Sequence, residues 1–169
     1  MSISFRNDSR TFYLNGKSIT YAFFINDHDY AEHLYFGTKI PDDPLGYTRS
    51  GSAGSTPATT PGRDDGASYQ FYPSELSFYG TGDYREPCVM IKTEQGDRLV
   101  QLLFDGFEIL SEKPAIHGMP SLDGGETLLV HLRDKINGFA ADLYYTVYAD
   151  CVVIARRIVY QNVGSGTIL

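Results

Sequence analysis

The sequence predicts an all-β sandwich, and three observations carry that reading. Apolar side chains recur at every second residue rather than every 3.6, turn formers punctuate the chain at short intervals, and no segment carries the apolar stripe of a helix. Phe and Tyr make up 14% of the residues, which suits pleated, half-buried surfaces.

The elements follow in order. Ile19, Tyr21, Phe23 and Ile25 alternate with Ser18, Thr20 and Ala22, as in a half-buried strand. Asn15-Gly16 tolerates positive φ at both central positions, so it predicts a two-residue hairpin between strands over 11–14 and 17–25. Another strand covers 30–36 and ends at Gly37. Strands over 88–94 and 98–105 flank a turn at Gln95-Gly96-Asp97. Segments 126–134, 138–149 and 151–161 form a three-strand meander. In its middle strand Phe139, Ala141, Leu143, Tyr145 and Val147 share one face. The third strand is apolar on both faces, which predicts an inner strand of stacked sheets.

Residues 41–67 break the pattern. Pro41, Pro44, Gly46, Gly51, Gly54, Pro57, Pro61 and Gly62 stand among Ser, Thr and Asp, so this stretch reads as a long mobile loop that buries little apolar surface. A tolerated surface insertion is the plainer reading, and a functional lid is its rival. At the other end, Thr167-Ile168-Leu169 begins a new apolar strand, so the domain is expected to be truncated.

Composition excludes several function classes. A formal charge of −7 repels nucleic acid and anionic membrane, and Arg156-Arg157 is the one adjacent basic pair. No run reaches the roughly 18 apolar residues of a membrane span. The N-terminus lacks the basic and apolar regions of a signal peptide, which predicts a cytoplasmic setting. Cys88 and Cys151 are then expected to be reduced, packed thiols.

No complete catalytic set is legible. His28, Asp29, Glu32 and His33 cluster in sequence, but strand geometry puts 28 and 33 on opposite faces and no further ligand follows at suitable spacing. His117 and His131 stand alone. No Gly-x-Ser-x-Gly motif is present, and Tyr79-Gly80-Thr81-Gly82-Asp83 has no helix after it to bind a phosphate. No cofactor or metal is expected. Asp64-Asp65 and Asp83/Glu86 qualify for glycoside chemistry by residue type alone. Asp83 and Glu86 more naturally bond to Arg85 and brace a Gly-rich turn.

Four segments carry a family resemblance. Glu32-His33-Leu34-Tyr35-Phe36-Gly37 is close to an "HLYYG"-like strand end, and residues 79–87 read YGTGDYREP. Lys113-Pro114 with Gly118-Met119-Pro120 is similar to a "GKPxLxGLP" segment. From Glu126 to Gly164, Asp134-Lys135, Gly138, Tyr145-Thr146-Val147 and Val153-Ile154-Ala155-Arg156 follow in order. Together they resemble the N-terminal region of family 36 glycoside hydrolases, the bacterial-type α-galactosidases.

The resemblance implies a galactose-mutarotase-like β-supersandwich attached to a catalytic (β/α)8 barrel outside this chain. It implies retaining hydrolysis of terminal α-galactosyl residues of oligosaccharides such as melibiose and raffinose by two barrel aspartates, so none of the residues here is catalytic. In tetrameric members a loop of the neighbouring subunit narrows the pocket. Its counterpart would be residues 63–73, with Asp65 contacting the sugar. Asp83 and Arg85 are assigned to structure, with a domain or subunit contact as the rival role. The expected partners are the chain's own barrel, further copies of itself and a galacto-oligosaccharide. A stand-alone carbohydrate-binding or structural module is the alternative, although such modules commonly present Trp and this chain has none.

Overall fold

The computed structural model describes residues 2–41, 45–49, 72–80, 82–120 and 122–169. Two four-stranded antiparallel sheets stack face to face, as the alternation predicts. The first holds β1 (Ile3–Arg6), β2 (Thr11–Asn15), β3 (Ile19–Ile25) and β4 (Ala31–Thr38) in that order. The second holds β5 (Leu103–Leu110), β6 (Glu126–Asp134), β7 (Phe139–Val147) and β8 (Ile154–Asn162).

The core lies between the sheets. Leu128, Val130 and Leu132 of β6 and the five odd-numbered residues of β7 from Phe139 to Val147 face Phe12, Leu14, Phe23 and Ile25 of the first sheet. A chain of rings crosses the gap: Phe12 lies 4.8 Å from Phe23 and 4.9 Å from Phe107, and Phe23 lies 5.1 Å from Tyr145. Such pairs add about 0.5–1.5 kcal/mol each beyond the area they bury.

The structure corrects several expectations. β3 is buried on both faces, because Leu34, Tyr35, Ile40 and Leu45 cover Tyr13 and Ala22 on the outer side. Leu45 opens a 3-10 turn, Leu45–Thr48, so part of the expected loop packs against the sheet. The rest of that loop, 42–44 and 50–67, lies outside the described residues. Asn15 and Gly16 do not take positive φ. Asn15 stays in β2 opposite Thr20, whose hydroxyl donates to Asn15 Oδ1 at 2.6 Å, so the connection is longer than two residues. Glycine suits position 16 because a Cβ there would lie 3.0 Å from Ile19 Cγ1 and 3.3 Å from the Cys151 carbonyl.

The turn at 95–97 forms, with Gly96 at φ 92 and its N–H donated to Thr93 O at 3.0 Å. Its arms do not form a ladder. Lys92 exchanges both backbone hydrogen bonds with Leu169 (2.8 and 3.0 Å), and Val89 bridges to Phe78, so these groups find partners far away in sequence. Neither cysteine is in a disulfide; Cys88 is exposed rather than packed because it lies in this irregular stretch, and Cys151 is half-buried. The meander forms over 126–162, but β8 lies at the edge of its sheet and is half-buried, not inside it.

Candidate functional site

Asp65 lies outside the described residues. Asp83 and Arg85 pair with each other. Arg85 Nε donates to both Asp83 oxygens at 2.8 and 3.1 Å, Nη2 donates to Oδ2 at 2.7 Å, and the Arg85 backbone N–H donates to Oδ1 at 3.0 Å. Burial pushes the Asp83 carboxyl up, but the Arg85 guanidinium and amide outweigh it and hold it below the usual carboxylate range. With both oxygens engaged on Arg85, this carboxylate braces a turn that Gly80 (φ 102) and Gly82 (φ 80) open. Tyr84, between the pair, points outward and is 88% exposed.

The histidine and acid cluster at 28–33 divides among separate partners. Asp29 meets Arg10 at 2.6 Å, Glu32 accepts a hydrogen bond from Asn26, and His33 Nδ1 lies 3.2 Å from Glu75 Oε1. Strand alternation sends Glu32 and His33 to opposite sides of β4, while Asp29 lies in the turn before it at φ 66.

Glu75 is the main polar junction, and sequence reasoning missed it. Ser74 bridges to Glu32, His33 N–H donates to Pro73 O at 2.7 Å, and Glu75 N–H donates to Ala31 O at 2.9 Å. This pairing along the edge of β4 carries the Glu75 side chain between the sheets. There Tyr21 of β3 donates to Oε1 at 2.5 Å and Tyr145 of β7 donates to Oε2 at 2.7 Å. Arg156 of β8 places Nη2 3.5 Å from Oε2 and also donates to the Glu75 backbone carbonyl.

Burial alone would raise the Glu75 carboxyl. His33, the Arg156 charge and the two tyrosine hydroxyls outweigh that cost and hold it below the usual range. The same proximity raises Tyr21 and Tyr145, by burial first and by the Glu75 charge second. The cluster is therefore an ionised carboxylate held by neutral phenols and a guanidinium, tying four strands of both sheets together.

A second network lies on the outer face of the second sheet. Asp142 receives His131 Nδ1 at 2.8 Å, Arg133 Nη1 at 2.8 Å and Gln161 Nε2 at 2.6 Å. Its carboxyl is raised by burial and lowered, on balance, by His131 and Arg133. His131, isolated in sequence, gains this partner because the register sets it opposite Asp142. Both networks use their carboxylate oxygens internally, so they fix geometry rather than offer an open catalytic position.

Comparison with known proteins gives the chain a family. The model described as the glycosyl hydrolase family 36 N-terminal domain matches residues 29–169. Alpha-galactosidase Mel36A of Lactobacillus acidophilus is 31% identical over 171 residues, covering 96% of this chain and 23% of the relative. The crystal structure of alpha-galactosidase AgaB from Geobacillus stearothermophilus superposes with a TM-score of 0.90 at 25% identity, over 99% of this chain and 23% of AgaB. A variant of AgaA from the same organism, solved in complex with raffinose, gives 0.85 at 25% identity over 94% of this chain and 23% of that one. The chain thus spans under a quarter of the length of these relatives. With its two antiparallel sheets and the match over 29–169, this chain belongs to the family 36 glycosyl hydrolases, as their N-terminal β-sandwich domain.

Proposed function

We propose that this chain is the scaffold part of a retaining α-galactosidase that removes terminal α-galactosyl residues from oligosaccharides such as melibiose and raffinose. The observation that carries the reading is the match of 96% of the chain to under a quarter of a curated α-galactosidase. The internally satisfied carboxylates of Glu75, Asp83 and Asp142 support it, since each is occupied in holding backbone or sheets in place. In this reading the chemistry belongs to a catalytic barrel on the same polypeptide. The sandwich supports that barrel and builds a homo-oligomer, of which a tetramer is one form. Asp65 reaches the sugar in a neighbouring pocket. The setting is cytoplasmic, in keeping with two free thiols.

The test is hydrolysis of p-nitrophenyl α-galactoside and raffinose by the intact polypeptide and by the purified 169-residue chain. The intact protein is expected to release galactose and the chain to release none. Activity of the chain alone, free of host enzyme, overturns the reading, as does an inactive but folded intact protein. In the same assay Asp65→Asn is expected to lower kcat/KM by roughly 10–100-fold, the equivalent of one charged hydrogen bond. An unchanged value removes Asp65 from the site.

A further inference from the structure

Between β5 and β6 the chain makes a long excursion, 111–125, rather than a tight turn. Pro114 and Pro120 lack the amide that a ladder needs. Gly118, at φ 78, bends the segment, and Met119 N–H donates to Ile116 O at 3.3 Å. The excursion folds back over the outer face of the second sheet and leaves a pocket of about 180 Å³ between itself and the strands. Pro114, Ile116, Met119 and Pro120 form one wall. Tyr144 and Thr146 of β7, with Ala155 and Arg157 of β8, form the other.

The charged groups of this pocket have one sign. Register sets Arg157 opposite Tyr144, and its guanidinium lies 4.2 Å over that ring. Stacking fixes the plane of the guanidinium and leaves its N–H donors at the rim. Among the described residues no side-chain or backbone oxygen takes those donors. Lys113 adds a second positive charge to the lining, and no carboxylate lines the pocket. This runs against the molecule as a whole, which carries 21 acidic and 14 basic side chains. The other polar neighbours are engaged elsewhere. Thr146 shares a hydrogen bond with Thr127 at 2.8 Å, and Arg156 turns its guanidinium inward to Glu75.

Size and lining narrow the ligand. A cavity of about 150 Å³ with apolar walls holds one benzene ring. A pocket of about 180 Å³ therefore admits one ring with a carboxylate attached. A carboxylate also matches the forked donors of a guanidinium, which it accepts in pairs. Inorganic phosphate fits less well, because its oxygens would face the Pro114, Ile116 and Met119 wall without partners. A cross-strand Arg–Tyr pair alone would only cover the sheet. The pocket above it gives the guanidinium room to receive an anion.

We propose that this pocket binds a small organic carboxylate with an apolar, ring-sized body, its charge held by Arg157 and Lys113 and its body lying against the 113–120 segment. A ligand so placed ties that segment to β7 and β8. The site lies on the opposite face of the sheet from the Glu75 junction and uses only residues of this chain. It therefore stands or falls independently of the α-galactosidase reading.

The test is titration calorimetry of the intact polypeptide with benzoate, with benzyl alcohol as the neutral ring and acetate as the charge without a ring. Benzoate is expected to bind with a Kd of about 1 mM or tighter, and both controls at least about tenfold more weakly. Arg157→Gln, which keeps the length of the side chain and removes its charge, should weaken benzoate by roughly 10–100-fold. Ala155→Leu fills the pocket without touching a charge and should also abolish binding. The wild-type protein supplies a readout that needs no variant: benzoate should slow phenylglyoxal modification of Arg157, mapped by mass spectrometry, and leave the exposed Arg98 unaffected. No saturable benzoate binding up to about 10 mM overturns the proposal. Benzyl alcohol binding as tightly as benzoate makes the pocket a plain apolar cavity and overturns it too. Benzoate that binds but leaves Arg157 as reactive as before lies elsewhere on the protein, which is equally fatal.

Discussion

Glu75 accepts from Tyr21 on one sheet and Tyr145 on the other, so one carboxylate sets how the two sheets face each other. Removing it leaves two phenols without their acceptor and Arg156 without its counter-charge. Glu75→Ala is expected to cost about 3–5 kcal/mol, as for other broken buried charge pairs. Tyr145→Phe, which deletes one charged hydrogen bond and keeps the ring, should cost about 1.5–3 kcal/mol. Urea unfolding followed by tyrosine fluorescence measures both. Equal costs would mean that the Tyr145 hydrogen bond alone accounts for what the carboxylate contributes to the junction. The pH dependence has a definite sign. The folded Glu75 carboxyl lies below its unfolded value, so its contribution is complete above roughly pH 4.3 and is lost as pH falls through the folded value. Glu75→Gln should flatten the acid limb of stability, and an unaltered limb would assign acid loss to other carboxylates. Nothing in the sequence marks this residue. Its partners lie 42 to 81 positions away, and Glu75 follows a Pro-Ser pair that reads as loop. Asp83 and Arg85 were legible because two residues on one tight turn can meet without any tertiary fold.

At the scale of elements, legibility followed the source of the backbone partners. The β6–β7–β8 meander was readable because each strand pairs with its sequence neighbour and buries one alternating face. Residues 88–102 were not, because their hydrogen bonds go to Ser77, Tyr79 and Leu169, and no local pattern encodes such distant partners. The outer burial of β3 was hidden for the same reason, as its cover comes from Leu34, Tyr35, Ile40 and Leu45. The β6–β7 turn provides an element-level test. Gly138 sits at φ 66, and a Cβ there would lie 2.5 Å from Gly164 Cα, where backbone cannot yield cheaply. Gly96, at φ 92, has open space around it. Gly96→Ala should therefore cost only the backbone strain, about 1–2 kcal/mol. Gly138→Ala should cost more than that and displace the 162–166 segment, seen as faster exchange at the Val163 and Gly164 amides, which both donate to Gly138 O. Equal costs at the two glycines would show that the chain after β8 moves aside freely.

For the whole molecule the question is what makes two sheets one cooperative unit, since they share no hydrogen-bonded ladder. Apart from single backbone contacts such as Phe104 N–H to Asp29 O, the links are made by side chains. Glu126 of β6 accepts the Ser2 and Ile3 amides beside β1, Glu75 joins β3 and β4 to β7 and β8, and the rings run from Phe107 through Phe12 and Phe23 to Tyr145. Phe12 is fully buried and touches Phe5, Phe23, Phe104 and Phe107, so it connects β1 and β3 of its own sheet to β5 of the other. Phe12→Ala removes this centre and should cost about 3–5 kcal/mol. That is a large part of the 5–15 kcal/mol typical of a domain, so the variant is expected to lie close to its unfolding limit. If the sheets behave as one unit, protection of slowly exchanging amides in β2, β3, β6 and β7 falls together, by roughly 100-fold or more. If β6 and β7 keep wild-type protection while β2 and β3 lose theirs, the sheets open separately. The second sheet would then be a stable platform in its own right, and the junctions at Glu75 and Glu126 would be contacts that follow folding rather than couple it.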